Sequence, residues 1–290
     1  MYFNLDLLKE RYIIIDMSRV FRITITHSVL IWGVLLMLVP LWLVFASSTH
    51  SNSYIYNEGM QWKIGGEFFD NYDRVLNKKG GFTKEITATR IFYNSFIMAF
   101  GIATLSVFIS MMAAYSLVYF KTKFSTLFFW LIFITLLVPL ELRILPSYQI
   151  VSDLNLTNSY AGLILPLSAS AIATFFFRQY FRSIPDELLE AAKLDGANSW
   201  KFFIDFLLPL SKTMIAAMFI FMFVYGYNQY LWPLIMTTSE KYWTVVMGLK
   251  MIYGGNSVDR YAYVVLSLLP PVMIIIFLQR LFIQGLFQTK

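Results

Sequence analysis

The chain contains no cysteine and only two histidines among its 290 residues. Without cysteine it can form no disulfide, no thiolate metal site and no thioether link to haem. The two histidines, His27 and His50, have no partner motif, and metal-dependent hydrolysis or a histidine-based triad would need more ligands or bases than these. We therefore expect no catalytic residue, no resident metal ion and no bound cofactor in this chain.

A phosphate-binding loop is also missing. None of the fourteen glycines belongs to a G-x-x-x-x-G-K-[ST] sequence, whose backbone amides would cradle nucleotide phosphates, so the chain is not expected to hydrolyse ATP. Charged residues are scarce at 14%, whereas 58% of the residues are hydrophobic and 18% are aromatic. This composition is too apolar for a soluble domain and predicts a polytopic membrane protein.

The apolar residues are concentrated in six long stretches. These lie at about 28–46, 92–119, 125–147, 161–177, 213–235 and 263–285. Most reach the roughly 20 residues that a helix needs to cross a bilayer, and the fourth is the shortest. Backbone polar groups must be satisfied internally in hydrocarbon, so the spans are predicted to be helices. The predicted fold class is all-α, with six transmembrane helices.

The positions of Lys and Arg in the flanks of the spans predict the orientation. Thirteen lie in the two termini, the turn before the third span and the loop 178–212, against nine on the opposite side. Because basic loops stay in the cytoplasm, both termini and this loop are predicted to be cytoplasmic. The chain then divides into a cytoplasmic tail (1–27), one transmembrane domain (28–285) with an outer loop (47–91), and a short cytoplasmic tail (286–290).

The cytoplasmic loop contains a charged segment, EAAKLDGANSWKFFIDFLLP, at residues 190–209. Pro185 suits the first turn of a helix, and Gly196 is placed to end that helix in a left-handed conformation. Ser199 could then cap a second helix, which Pro209 would stop. From local physics alone, the segment is either an amphipathic helix lying at the membrane surface or a docking element for another protein.

The same segment resembles a loop in the permease subunits of binding-protein-dependent ABC importers. The loop pattern of that family is EAA, three residues, glycine, nine residues, isoleucine, one residue and Leu-Pro. Phe206 stands at the isoleucine position. The other positions are matched by Glu190, Ala191, Ala192, Gly196, Leu208 and Pro209. The stretches 128–149, 159–197 and 206–213 narrow the resemblance to the carbohydrate-uptake (MalG-type) branch, and within it to the sn-glycerol-3-phosphate importer permeases (UgpE type).

The resemblance implies a type I ABC importer permease fold and a set of partners. Half of the translocation pathway would come from this chain and half from a second permease subunit of the UgpA type. Two ATPase subunits would bind ATP and Mg, and an extracytoplasmic solute-binding protein would deliver the solute at the bacterial inner membrane. Coupling to the ATPase would be carried by Glu190, Ala191, Ala192, Asp195 and Gly196. The net charge of +6 fits contact with anionic lipid, and no nucleic-acid partner is expected.

Two charged residues, Glu141 and Arg143, lie near the predicted outer end of the third span. Ionisable groups at membrane depth are costly, and their default interpretation is a functional site. Arg143 could bind a phosphate, since its planar fork reaches two oxygens at once. Alternatively, it could extend to the interface or pair with Glu141 as a structural lock. The polar and aromatic residues of the fifth span are further candidates for the path, and Asn228 is the preferred one. The others are Tyr225, Tyr227, Gln229, Tyr230 and Trp232. The alternative, favoured for Tyr230 and Trp232, is helix-to-helix hydrogen bonding together with an interfacial aromatic belt.

Small residues recur every four positions in the second span, at Ser106, Ser110 and Ala114. Such a stripe lets helices approach closely, either at an interface with the second permease subunit or in packing within this chain. The sequence does not decide between these alternatives.

The sequence therefore predicts a non-enzymatic permease subunit of an ATP-driven importer for sn-glycerol 3-phosphate or glycerophosphodiesters. The first alternative is the same class of importer carrying a neutral sugar or an oligosaccharide. A membrane-embedded enzyme acting on lipid phosphates is a remote alternative, because no nucleophile-and-base arrangement is visible in the sequence. A receptor or channel working alone would have no use for the coupling loop.

Overall fold

The computed structural model describes residues 5–77, 86–120, 122–252 and 256–287. Within these residues the chain is helical and contains no β-strand. Short 3₁₀ turns and one π-helical segment, Phe202–Leu207, connect some of the helices. The α-helices are α1 (Leu5–Ser47), α2 (Asn52–Glu58), α3 (Phe68–Asn77), α4 (Ala88–Tyr119), α5 (Ser125–Ile134), α6 (Leu140–Asp153), α7 (Tyr160–Ile164), α8 (Ala171–Arg182), α9 (Asp186–Leu194), α10 (Ser199–Lys201), α11 (Leu208–Leu210), α12 (Lys212–Tyr227), α13 (Leu231–Met236), α14 (Val245–Met251) and α15 (Ser257–Phe287).

Three helical segments are long and apolar enough to cross a membrane alone, namely Val20–Ser47 of α1, the whole of α4, and Ser257–Arg280 of α15. Three further candidates are helix pairs, each bent by more than 40° at a break of at most four residues. The pairs are Ser125–Leu137 with Glu141–Asp153, Tyr160–Leu167 with Ala171–Arg182, and Ser199–Leu210 with Lys212–Tyr227. The described residues thus contain between three and six candidate spans, and the count of six stays a prediction.

The breaks show that three of the predicted spans do not run as single helices. The fourth, 161–177, is broken between Leu167 and Ala171. The third predicted span, 125–147, is interrupted at Pro139, which has no N–H to donate to the preceding turn. In the fifth, 213–235, the helix ends at Tyr227, and a separate helix begins at Leu231. Hydropathy does not register these interruptions, because the residues on both sides of each break are largely apolar.

Some of the residues used for the orientation lie outside the described part of the chain. These are Lys78, Lys79 and Lys84 of the outer loop, Lys121 in the turn before the third span, and Lys290 of the C-terminal tail. The predicted first span, 28–46, falls inside α1, which begins much earlier, at Leu5. The predicted N-terminal tail is therefore helical from Leu5 onward and continuous with that span.

Helix α4 lies at the centre of the fold and packs against α8, α12 and α15. One buried cluster joins Met98 of α4 to Phe223 of α12 and Tyr263 of α15. A second cluster, towards the end of α4, joins Tyr115 to Phe177 of α8 and to residues of the predicted coupling loop, 178–212. The coupling loop is therefore part of the packed protein.

The stripe of small residues on α4 packs inside this chain. Ser106, Ser110 and Ala114 are fully buried. Ser110 Oγ donates a hydrogen bond to the carbonyl of Ser170 at 3.0 Å, and Ser106 Oγ donates to the carbonyl of Leu167 at 3.5 Å. Both acceptors lie at the break between α7 and α8, so the second of the two alternatives, packing within the chain, is the one observed.

The outer loop folds against the ends of α1 and α15. Asn71 of α3 donates its side-chain amide to the carbonyls of Ser48 and His50, both at 2.9 Å. Arg74 forms an ion pair with Asp259 of α15 at 2.6 Å and donates a further hydrogen bond to Asn71 Oδ1. The Asp259 side chain is 4% exposed, so the pair is an internal connection between the outer loop and the last candidate span.

Candidate coupling surface and translocation cavity

The predicted coupling segment begins with helix α9. Pro185 has extended backbone angles and precedes the helix, and Asp186 and Glu187 occupy its first turn, where the helix dipole favours negative charge. Gly196 follows the end of the helix with φ +75°, a conformation that costs glycine little. The N–H of Ala197 donates to the carbonyl of Ala192 at 2.9 Å and closes the helix end. The predicted start near Pro185 and the left-handed glycine are both confirmed.

Two details of the second short helix differ from the prediction. Its cap is Asn198, whose Oδ1 accepts a hydrogen bond from the N–H of Lys201 at 2.8 Å, and Ser199 is the first helical residue. Pro209 does not stop the helical path, which continues to Leu210 and breaks at Ser211. The π-helical turns just before Pro209 change the hydrogen-bond register, which accommodates a ring that would clash with an α-helical carbonyl.

Helix α9 has an inward and an outward face. Ala192 is 1% exposed and lies in the buried cluster at the end of α4, with Leu188 and Leu189 packed against the same cluster. The outward face carries Leu194, which is 90% exposed, and the other four predicted coupling residues are exposed as well. These four are Glu190, Ala191, Asp195 and Gly196. Of the five predicted coupling residues, Ala192 is the one whose side chain is buried within the permease.

Two tyrosines connect the segment to the candidate spans. The hydroxyl of Tyr115, in the last turns of α4, donates to the carbonyl of Ser199 at 2.7 Å. The hydroxyl of Tyr180 in α8 donates to the carbonyl of Leu210, also at 2.7 Å. Sequence analysis missed both, because a main-chain acceptor distant in sequence leaves no motif. These bonds fasten the coupling segment to α4 near its middle and to α8 just after its last residue.

A cavity of about 380 Å³ lies where the bent helix pairs meet α12. Its walls come from the break at Pro139, the break between α7 and α8, and the last turns of α12. Most of the lining is apolar, which is usual for a ligand site, with a few polar groups to orient a ligand. The polar side chains in the lining are Thr135, Glu141, Arg143, Ser170, Tyr225 and Gln229.

Glu141 and Arg143 both line this cavity, as expected for path residues. Residues two positions apart do not face each other on a helix, and both lie on α6. No ion pair joins them in the part of the chain that the structure describes. The structural-lock alternative therefore finds no support here, and both charges are directed to the cavity and its surroundings.

Asn228 does not line the cavity, although its neighbours in sequence do. It is exposed, and it follows the last residue of α12. Tyr225 and Gln229, four residues apart, reach the cavity instead. Trp232 is buried, and its indole N–H donates to the carbonyl of Leu163 at 3.2 Å. This is a helix-to-helix hydrogen bond of the kind predicted for Trp232.

The N-terminal part of α4 contains a polar junction that the sequence did not reveal. Asn94 donates its side-chain amide to the carbonyls of Lys241 and Trp243, both at 2.9 Å. Its Oδ1 accepts a hydrogen bond from the hydroxyl of Tyr160 at 2.7 Å. Ser95 Oγ accepts the N–H of Val245 at 2.6 Å. These bonds hold the start of α14 and the segment before it against α4.

Residues 106–288 match the family described as "Binding-protein-dependent transport system inner membrane component". The chain belongs to this family. It is thus a permease subunit of an ABC importer, and the predicted class of function and the multi-pass inner-membrane location are confirmed. The matched residues include the coupling segment and the residues that line the cavity.

Three relatives of the permease share 42% of its residues over 91% of its length. Each is named sn-glycerol-3-phosphate transport system permease protein UgpE, from Yersinia enterocolitica, Shigella flexneri serotype 5b and Escherichia coli O1:K1. The matches cover 95%, 96% and 96% of the three relatives, respectively.

A solved structure has a similar fold, with a TM-score of 0.71 and 21% sequence identity. It is a bacterial ABC transporter involved in the import of the acidic polysaccharide alginate. The likeness covers 91% of the permease and 97% of that chain. The predicted all-α ABC importer permease fold is thereby confirmed.

Proposed function

We propose that this permease forms half of the pathway through which an ATP-driven importer takes up sn-glycerol 3-phosphate or glycerophosphodiesters. One observation carries the proposal: Arg143 is the one cation among the described residues that line the cavity, and Tyr225 and Gln229 share that cavity. The names of the three relatives support the same solute.

The cavity offers chemistry suited to a small phosphate ester. The guanidinium of Arg143 can donate two parallel hydrogen bonds to phosphate oxygens. The hydroxyl of Tyr225 can form a hydrogen bond with a glycerol hydroxyl. The side-chain oxygen of Gln229 can accept a second one, since its amide nitrogen already donates to the carbonyl of Tyr225 at 3.3 Å. A volume of about 380 Å³ is near the lower end of the range for ligand pockets, which favours a small solute over an oligosaccharide.

Glu141 gives the same wall an opposing charge. A transport site has to bind its solute weakly enough to release it. A carboxylate near Arg143 reduces the electrostatic attraction for an anion. The solute would then be bound by the hydrogen bonds of the guanidinium and could still dissociate readily. Replacing Glu141 with Gln should then tighten binding and slow release.

The outward face of α9 is proposed to dock on the ATPase. Glu190 and Asp195 offer charge-assisted contacts, Ala191 permits close approach, and the exposed Leu194 adds apolar area at the same surface. Ala192 would act from the inner face, because its small side chain lets α9 lie close to α4. Closure of the ATPase would then move α4 and α8 through the hydrogen bonds of Tyr115 and Tyr180.

The proposal includes an assembly and an orientation in the membrane, and membership of the family supports the assembly. A second permease of the UgpA type would complete the pathway, two ATPase subunits would bind ATP and Mg, and an extracytoplasmic binding protein would deliver the solute. Both termini and the segment around α9 would face the cytoplasm, with six spans formed by the three long helices and the three bent pairs. The excess of Lys and Arg on that side supports this orientation.

The test is ATP-dependent uptake by proteoliposomes that contain this permease with its partner permease, the ATPase and the binding protein. Labelled sn-glycerol 3-phosphate, a glycerophosphodiester and a disaccharide are compared. Uptake of the phosphate compounds alone is expected. Uptake of the disaccharide alone would leave the importer class intact and overturn the proposed solute.

Transport of a neutral sugar or oligosaccharide is the second candidate. The hydroxyl, amide and aromatic groups of the lining, such as Tyr225 and Gln229, are also suited to sugar hydroxyls. Under this alternative Arg143 would have no anion to bind, and its replacement by Gln would leave uptake nearly unchanged.

A further inference from the structure

A second cavity, of about 320 Å³, lies between the end of α4, the end of α8 and the start of α9. Part of its wall is apolar, formed by residues such as Leu117, Val118 and Ile184. Arg178 and Arg182 give it a basic side. The remaining lining residues are Phe181 and Asp186. The cavity is separate from the one that contains Arg143.

The two arginines lie on one face of α8. Arg178 lies over the ring of Phe129 in α5, with its Cζ 3.8 Å from the ring centre, and this stacking fixes the plane of the guanidinium. Arg182 is one helical turn away, where like charges repel each other. Neither arginine takes part in an ion pair within the described ranges, not even with Asp186. An anion from outside the chain would relieve this repulsion.

The surroundings point to the chemistry of that anion. Helix α5, which carries Phe129, exposes a series of apolar side chains, each about half accessible. They are Leu127, Phe128, Trp130 and Leu131. The cavity thus lies at the end of two candidate spans, beside a surface suited to hydrocarbon, where lipid headgroups are found. Basic pockets between helices at this depth bind the headgroups of anionic lipids.

We propose that Arg178 and Arg182 bind the phosphate of an anionic phospholipid, whose glycerol and upper acyl chain lie along α5. The three charged lining residues, two arginines and Asp186, sum to one positive charge. This matches the single negative charge of a phosphodiester such as that of phosphatidylglycerol, and it suits a free phosphate dianion less well. Because α9 begins at Asp186, the lipid would touch the base of the candidate coupling helix. The site is independent of the transported solute.

The test uses the importer purified with its partner subunits, in nanodiscs of neutral phosphatidylcholine to which phosphatidylglycerol is added in steps. The midpoint of thermal unfolding should rise for the native protein, because a ligand that binds the folded state stabilises it. R178Q/R182Q should lose this rise. R280Q, which removes an exposed arginine at the end of another candidate span, should keep it. Native mass spectrometry should show phosphatidylglycerol retained by the native protein and R280Q, and lost from R178Q/R182Q.

Three results would overturn the proposal. An equal rise in all variants would mean that the lipid acts elsewhere. A rise produced by inorganic phosphate in the buffer would assign the arginines to a free anion. Loss of the ATPase from R178Q/R182Q with an unchanged lipid response would make the arginines a contact with the partner protein. If the double variant does not assemble, R182Q alone, whose side chain is exposed, should show a reduced rise.

Discussion

The hydroxyl of Tyr115 donates a 2.7 Å hydrogen bond to the carbonyl of Ser199, which is 84 residues away in the sequence. Tyr115 lies near the end of one of the candidate spans, and Ser199 belongs to the short helix after the candidate coupling helix. The ring of Tyr115 also lies 5.0 Å from that of Phe203, centre to centre. One side chain therefore joins the candidate coupling surface to the central helix of the permease.

Replacing Tyr115 with Phe should weaken this connection while keeping the aromatic packing. Loss of the hydrogen bond should cost about 1 kcal/mol of stability and lower the number of solute molecules moved per ATP hydrolysed. Uptake and ATP hydrolysis are measured together in proteoliposomes. Tyr56→Phe removes the same hydroxyl from a side chain that is 85% exposed, and it should leave both rates unchanged. If the two variants move the same number of solute molecules per ATP hydrolysed, the Tyr115 hydrogen bond does not contribute to coupling.

Substituting Gly196 tests the left-handed turn after α9. An added Cβ would meet no atom within 4 Å, so the cost of Gly196→Ala comes from the backbone conformation alone. That cost should be about 1 kcal/mol, seen as a lower midpoint of thermal unfolding. Gly66→Ala, which is equally free of neighbours but has no left-handed backbone, is the matched control and should be close to neutral. Equal midpoints in the two variants would mean that the turn relaxes without cost.

The two faces of α9 should respond differently to the same enlargement. Ala192→Leu inserts bulk into a buried cluster and should destabilise the permease by about 1–3 kcal/mol, whether or not the ATPase is present. Ala191→Leu alters an exposed position and should leave the stability of the permease unchanged while weakening its association with the ATPase. Thermal unfolding of the permease and co-elution of the ATPase measure the two effects. If Ala191→Leu leaves ATPase binding intact, the outward face is not the docking surface.

The ion pair between Arg74 and Asp259 should stabilise the attachment of the outer loop. Asp259→Asn removes one partner of a pair whose carboxylate is 4% exposed, and it should cost up to about 3 kcal/mol. Asp70→Asn is the control, since Asp70 is an exposed residue in the first turn of α3. Protease sensitivity of the outer loop should rise in the first variant only. Equal sensitivity in both would mean that the loop is held by its other hydrogen bonds.

The sequence predicted best those features that depend on local backbone chemistry. Pro185 and Gly196 have few conformations open to them, so their places at the two ends of α9 could be predicted. The cap was assigned to Ser199 because serine and asparagine cap equally well, and only the three-dimensional path selects Asn198. The side of α9 that faces the protein could not be predicted, since Ala191 and Ala192 are chemically identical and only the packing on α4 separates them.

The cavity was predicted only in part. Glu141 and Arg143 were predicted as path residues because they are charged and lie within an apolar span, and both line the cavity. Of the fifth-span candidates, Tyr225 and Gln229 line the cavity and Asn228 does not, because α12 ends at Tyr227 and the residues that follow change direction. The place of Asn228 in the path stays a prediction. The hydrogen bonds of Asn94 join its side chain to main-chain carbonyls about 150 residues away in the sequence. No local sequence pattern predicts such bonds.

Arg143 is proposed to bind the phosphate of the solute on its way through the permease. The most direct measurement is the concentration dependence of sn-glycerol 3-phosphate uptake by proteoliposomes that contain the native importer, R143Q, R143K or R280Q. Loss of a charge-assisted hydrogen bond worth about 1.5–3 kcal/mol predicts roughly a tenfold or greater fall in uptake efficiency for R143Q. R143K, which keeps the charge but loses the fork, should fall between R143Q and the native protein, and R280Q should match the native protein. Uptake by R143Q at the native efficiency, with the complex fully assembled, would show that Arg143 does not bind the solute phosphate.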